Sequence, residues 1–96
     1  MKKNIIRILK GLLCQLHKLI NTSPQKRLHL AYFISNYCQK NLEKYNLSME
    51  IEELFIQCLD LDHWGDKELP PTLSIKEIRE SFIPEIQRMI RKLELA

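Results

Sequence analysis

Apolar residues recur along this chain at steps of three and four, the repeat of a helix face, and nowhere alternate over the length of a strand. Ile5, Leu9, Leu12, Leu16 and Leu19 keep that spacing, and Ile8, Leu13 and Ile20 widen the stripe. A stripe so wide suits a core-facing bundle helix better than a narrow coiled-coil seam, and it predicts a first helix from about Lys3 to Ile20. Leu30, Phe33, Ile34, Tyr37, Cys38 and Leu42 mark a second helix reaching about Tyr45. A third carries Ile51, Leu54, Phe55, Cys58 and Leu59, and a last one Ile75, Ile78, Phe82, Ile86, Ile90 and Leu93.

Polar punctuation separates these runs. Ser23 precedes Pro24, which suits the first helical position because its missing N–H needs no partner there. Asn46 closes the second helix, and Ser48 caps the third, whose Glu50, Glu52 and Glu53 suit the positive end of a helix dipole. Gly65 is the expected stop. Ser74 and Glu77 have the spacing of a capping box for the last helix. Pro84 then removes one internal hydrogen bond and crowds the preceding turn, predicting a kink near Glu80 to Phe82. The expected fold is an all-α, compact bundle of about four helices, one domain over residues 1–96. Only residues 60–72 read as a long irregular stretch.

Charge changes the picture more than composition does. The first forty-two residues hold eight Lys or Arg and no acid; from Glu43 onward twelve acids face seven bases. The overall +3 therefore conceals a basic half and an acidic half, which raises the question of an anionic partner. Lys3, Arg7, Lys10, Cys14 and His17 share one row of the first helix, flanked by Lys18, and Lys26 and Arg27 open the second. These six bases are the candidate partner-binding set. Trp64, the sole tryptophan, is a candidate anchor because tryptophan is enriched in binding hot spots; a lid over one end of the bundle is the plainer role for so large an apolar ring.

Other chemistry finds little footing. Asp60-x-Asp62-x-x-Gly65 opens like a calcium loop, but Trp64 and Pro71 stand where oxygen ligands are required. Cys14, Cys38 and Cys58 are too dispersed for a zinc site and read as reduced thiols, which favours a cytoplasmic protein. Arg7 and Lys10 interrupt any signal-peptide core at the start. No catalytic constellation, cofactor motif or small-molecule site is recognisable, and the last helix lacks the turn that a helix-turn-helix needs. The expectation is a non-catalytic protein that binds another macromolecule, as adaptors, inhibitors, immunity proteins and assembly subunits do. A protein partner or self-association ranks first, and a nucleic-acid-binding subunit using the basic face of helix one is the alternative. An anionic membrane surface ranks below both.

Overall fold

The computed structural model describes residues 2–63 and 74–96. Helix α1 spans Lys2–Ile20, α2 Pro24–Lys44 and α3 Met49–Leu59, which runs into a 3-10 turn at Asp60–His63. A short turn Ile75–Glu77, a π-helical turn Ile78–Phe82 and the helix Ile83–Leu95 follow one another directly and together make α4. No strand occurs among the described residues, and the fold is a small all-α bundle.

Helix α1 is the central element, lying against α2 on one side and α4 on the other, while α3 packs along α2. Its inward stripe is the predicted one: Leu9, Leu12, Leu16 and Leu19 have no exposure at all. They join Ile34, Cys38, Phe55, Cys58, Leu61, Ile78 and Ile86 in one continuous core. With that stripe enclosed by neighbouring helices, α1 presents mainly its polar side to the surroundings, with Ile6 and Leu13 partly buried at its margins.

In α2 the expected stripe is rotated. Phe33, expected inside, is 58% exposed, while Ala31, Ile34, Ser35 and Cys38 face the core. Small residues at 31 and 35 let the neighbouring backbone come close, and a buried hydroxyl needs a partner, which Ser35 finds in the Leu59 carbonyl at 2.9 Å. Leu30, Tyr37 and Leu42 sit at the margin, partly buried against the core. Apolar residues lie on several sides of α2, so periodicity alone did not fix its rotation.

The helix ends also differ from the expected caps. Neither Ser23 nor Ser48 makes a side-chain cap bond; their carbonyls take the first amides instead, Lys26 N–H to Ser23 at 3.0 Å and Glu52 N–H to Ser48 at 2.8 Å. Ser74 does cap, its hydroxyl accepting from the Glu77 amide at 3.1 Å. Helix α2 ends at Lys44 with Tyr45 extended, so the stop comes before Asn46. Helix α3 gives way at Asp60 to the 3-10 turn, so the first residues of the presumed irregular stretch are ordered and bury Leu61. Gly65 and Trp64 lie outside the described residues.

Where a kink was expected, α4 widens by one residue. The Ile83 amide donates to the Ile78 carbonyl, a five-residue step, just ahead of Pro84. Pro84 lacks the N–H that would bond the carbonyl four residues back, so a local register change can relieve the clash without breaking the helix. The widened turn sends both Ile78 and Phe82 into the core, and Ile83, Ile86, Met89 and Ile90 continue the buried face.

Candidate partner-binding surface

Helix α1 puts Lys3, Arg7, Lys10 and Lys18 on the surface, as its periodicity required. Lys3 and Lys18 are fifteen residues apart, about 22 Å along a helix, so the six bases cannot form a single pocket. They divide into two groups.

In the first group Lys10 meets an acid and Arg7 a hydroxyl, while Lys3 forms no ion pair among the described residues. Lys10 Nζ lies 3.3 Å from a carboxylate oxygen of Glu94 at the end of α4, and Lys2 Nζ donates to the Ala96 carbonyl at 2.6 Å. Arg7 donates to the Tyr45 hydroxyl at 3.2 Å, and Lys44 Nζ stands 5.3 Å from the centre of that ring. Desolvation, the largest single influence, pushes the Tyr45 hydroxyl up, but the hydrogen bonds and charges of Arg7 and Lys44 together outweigh it and hold the group below its ordinary value. The last turn of α4 thus brings Glu94 against the basic row. Since both members of the Lys10–Glu94 pair are about half exposed, solvent screens the attraction and Lys10 stays accessible to another anion.

The second group lies around the corner between α1 and α2. Lys18 and Lys26 are exposed, and neither forms an ion pair among the described residues. Arg27 is drawn inward, half-buried, with its Nε enclosed and without a hydrogen-bond partner among them. Asn21 closes the end of α1 by donating to the His17 carbonyl at 2.8 Å. The corner is therefore built on two helix termini and a short connection, and no described carboxylate neutralises its lysines.

Acidic residues gather on α3. Glu50, Glu52 and Glu53 are exposed on α3. Arg88 of α4 grips Glu85 with two hydrogen bonds, at 3.1 and 2.6 Å, and also reaches Glu50 across the gap to α3. Through the Arg88 bonds the Glu85 carboxyl is held below the usual carboxylate range, and the two carboxylates in turn hold the guanidinium proton more tightly. Under this strut runs a cleft of about 330 Å³ edged by Glu50, Glu53 and Glu85, with Leu54, Phe82 and Met89 as its nearly covered floor.

Two buried details bear on the basic helix. Tyr37 of α2 reaches α1, its hydroxyl donating to the Ile8 carbonyl at 2.9 Å beside Gly11, and burial pushes its phenol above the ordinary value. The Cys38 and Cys58 thiols are both buried; interaction with the neighbouring Cys58 thiol, then burial, raises the Cys38 thiol far above its ordinary value, while Cys14 stays exposed. Among the described residues, no three His, Cys, Asp or Glu side chains converge as metal ligands would, and no helix is long and apolar enough to cross a membrane. Sequence reasoning missed the outward-facing apolar residues of α2 and α3, namely Leu28, Tyr32, Phe33, Met49 and Ile56. The one available signal was that α2 carries more apolar residues than one buried face can hold. No protein-family model, curated protein or solved structure matches this chain.

Proposed function

We propose that this chain is a small, non-catalytic binding protein whose partner is a protein with an acidic surface, engaged through the corner between α1 and α2. The charge of Lys18 and Lys26, uncompensated among the described residues, supports this reading, with Arg27 adding its guanidinium at the same corner. Lys3, Arg7 and Lys10 extend the field along α1, where Glu94 offsets Lys10 in part and the Tyr45 hydroxyl holds Arg7. Complementary charge of this kind steers encounter and selects partners more than it adds raw affinity. A protein is favoured over nucleic acid because the total charge is only +3 and twelve acids share the same small molecule.

The test is reversal of the corner, Lys18→Glu with Lys26→Glu, compared with Lys10→Glu, using immobilised protein and extract of the source cells with and without nuclease treatment. The corner variant should lose a stoichiometric protein partner that wild type retains, chiefly through an association rate at least roughly tenfold slower at low salt, whereas Lys10→Glu should change it less. A retained species that nuclease destroys, with affinity falling steeply and linearly on a log–log salt plot, would assign the surface to nucleic acid instead. Equal capture by all variants would remove the corner from consideration.

A further inference from the structure

We infer that the partner enters as an amphipathic helix, acidic towards both ends and apolar at its centre, laid in the groove between α1 and α2. Its placement rests on the acidic protein partner proposed above and identifies the element such a protein would present. On α2, Lys26, Leu30, Phe33, Tyr37, Lys40 and Lys44 follow one another at steps of four and three and so share one line. Tyr37 fixes which side of α2 this is, because its hydroxyl reaches the Ile8 carbonyl of α1 at 2.9 Å. On α1, Arg7, Gly11, Cys14 and Lys18 share a line by the same spacing, with Gly11 against Tyr37. The two lines border one groove.

Charge along this groove is divided between its ends. The chain turns back at residues 21–23, so Lys18 and Lys26 stand at one end; the Arg7 bond to Tyr45 marks the other, where Lys40 and Lys44 also lie. All five cations are exposed, and none forms an ion pair among the described residues. No acid lies on either line. Glu43, about 100° round α2 from Lys44, accepts from Gln39 at 2.8 Å on the side where Ser35 meets α3. Glu94 pairs with Lys10 on the side of α1 that borders α4. Between the charged ends the groove is apolar: Phe33 is 58% exposed, Leu30 and Tyr37 are partly buried, and a cleft of about 390 Å³ opens beside Phe33, Asn36, Tyr37 and Lys40.

That order of charge and apolar surface selects the occupant. Lys26 and Lys44 are eighteen residues apart, about 27 Å along α2, which a partner helix of about five turns spans. A helix satisfies its own amides, whereas an extended segment needs main-chain partners, and no strand edge exists among the described residues to supply them. Acids near the two ends of such a helix meet Lys18 with Lys26 and Arg7 with Lys40 and Lys44. Apolar residues between them cover Phe33 and enter its cleft. Nucleic acid fits this order worse: each strand of a duplex carries a phosphate about every 3.4 Å, which would lay charge over the apolar centre as well as over the ends.

The probe is a stapled helical peptide of about twenty residues, with Glu in its first and last turns and Leu and Phe on one face of its middle, followed by fluorescence anisotropy. The protein should bind it at least roughly tenfold more tightly than a stapled peptide of the same composition in scrambled order. Lys40→Glu with Lys44→Glu, and Lys18→Glu with Lys26→Glu, should each weaken binding at least roughly tenfold at low salt while far-UV circular dichroism is unchanged. Phe33→Ser should weaken it without altering its salt dependence, whereas Tyr32→Ser, equally exposed but on the other side of α2, should leave it unchanged. Capture from extract separates this proposal from the reading beneath it. If the corner reversal loses the captured protein while the Lys40–Lys44 reversal and Phe33→Ser keep it, the corner stands and the groove is overturned; if the corner reversal loses nothing, both fall. Equal binding of the scrambled peptide, equal losses from Tyr32→Ser and Phe33→Ser, or tighter binding of a single-stranded oligonucleotide of the same charge would also overturn the helix as occupant.

Discussion

At the scale of single residues, the contact between Gly11 and Tyr37 decides how closely α1 and α2 approach. Glycine inside a helix ordinarily costs about 0.5–1 kcal/mol relative to alanine, so Gly11→Ala would stabilise the protein if α1 stood alone. Here a Cβ at Gly11 would overlap the Tyr37 hydroxyl that donates to Ile8, and the ring carbon bearing it would lie at 3.2 Å. Gly11→Ala is therefore expected to destabilise by about 1–3 kcal/mol, the usual range for overpacking a well-filled site. Tyr37→Phe alone should cost about 1 kcal/mol for the lost hydrogen bond. With Tyr37→Phe already in place the overlapping oxygen is gone, and Gly11→Ala should become nearly neutral. Denaturant unfolding of wild type, the two single variants and the double variant measures that coupling; strict additivity would mean that Tyr37 does not hold the helices at this spacing.

At the scale of elements, the sequence disclosed most where one period dominated. The core stripe of α1 was legible because its four-three repeat admits one inward face, and Ser74 with Glu77 announced the start of α4 by local chemistry. Helix α2 was misjudged at Phe33 because rotation is set by what fits against α1 and α3, and small residues at 31 and 35 permit the closer packing. The π turn shares that origin: Pro84 signalled a disturbance, but which distortion resolves it depends on keeping Ile78 and Phe82 in the core. The candidate surface was legible as a list of bases, but not which of them meet partners: Glu94 pairs Lys10 and the Tyr45 hydroxyl holds Arg7, both distant in sequence. The same logic governs the link between α3 and α4, where Arg88 joins Glu85 to Glu50. A carboxyl held below its unfolded value adds stability above that value and loses it as pH falls through the folded one. Arg88→Met should therefore let Glu85 take up its proton at higher pH, nearer the ordinary value, and flatten the acid limb of stability. Carbon-13 NMR titration of the Glu85 carboxyl reads this directly; an unchanged titration would remove the strut from the account.

At the scale of the whole molecule, the question is whether four helices of such uneven charge unfold together. Side chains from α1, α2, α3, the 3-10 turn and α4 meet in one continuous core, so no helix retains a buried face once its neighbours leave. The Cys38–Cys58 contact lies within that core, one thiol on α2 and the other on α3, whereas Cys14 is exposed on α1. A thiol reagent acts on the thiolate and needs access, and burial denies both thiols that access in the folded state. Cys14 should therefore react promptly with a thiol reagent under native conditions. Cys38 and Cys58 should react only at the rate of opening, in equal measure and with the same denaturant dependence as the loss of helical circular dichroism. Coincident transitions are the mark of two-state unfolding in a domain of this size. If Cys58 were labelled well before Cys38, α3 would be a detachable element held by the Arg88 strut and not by shared packing.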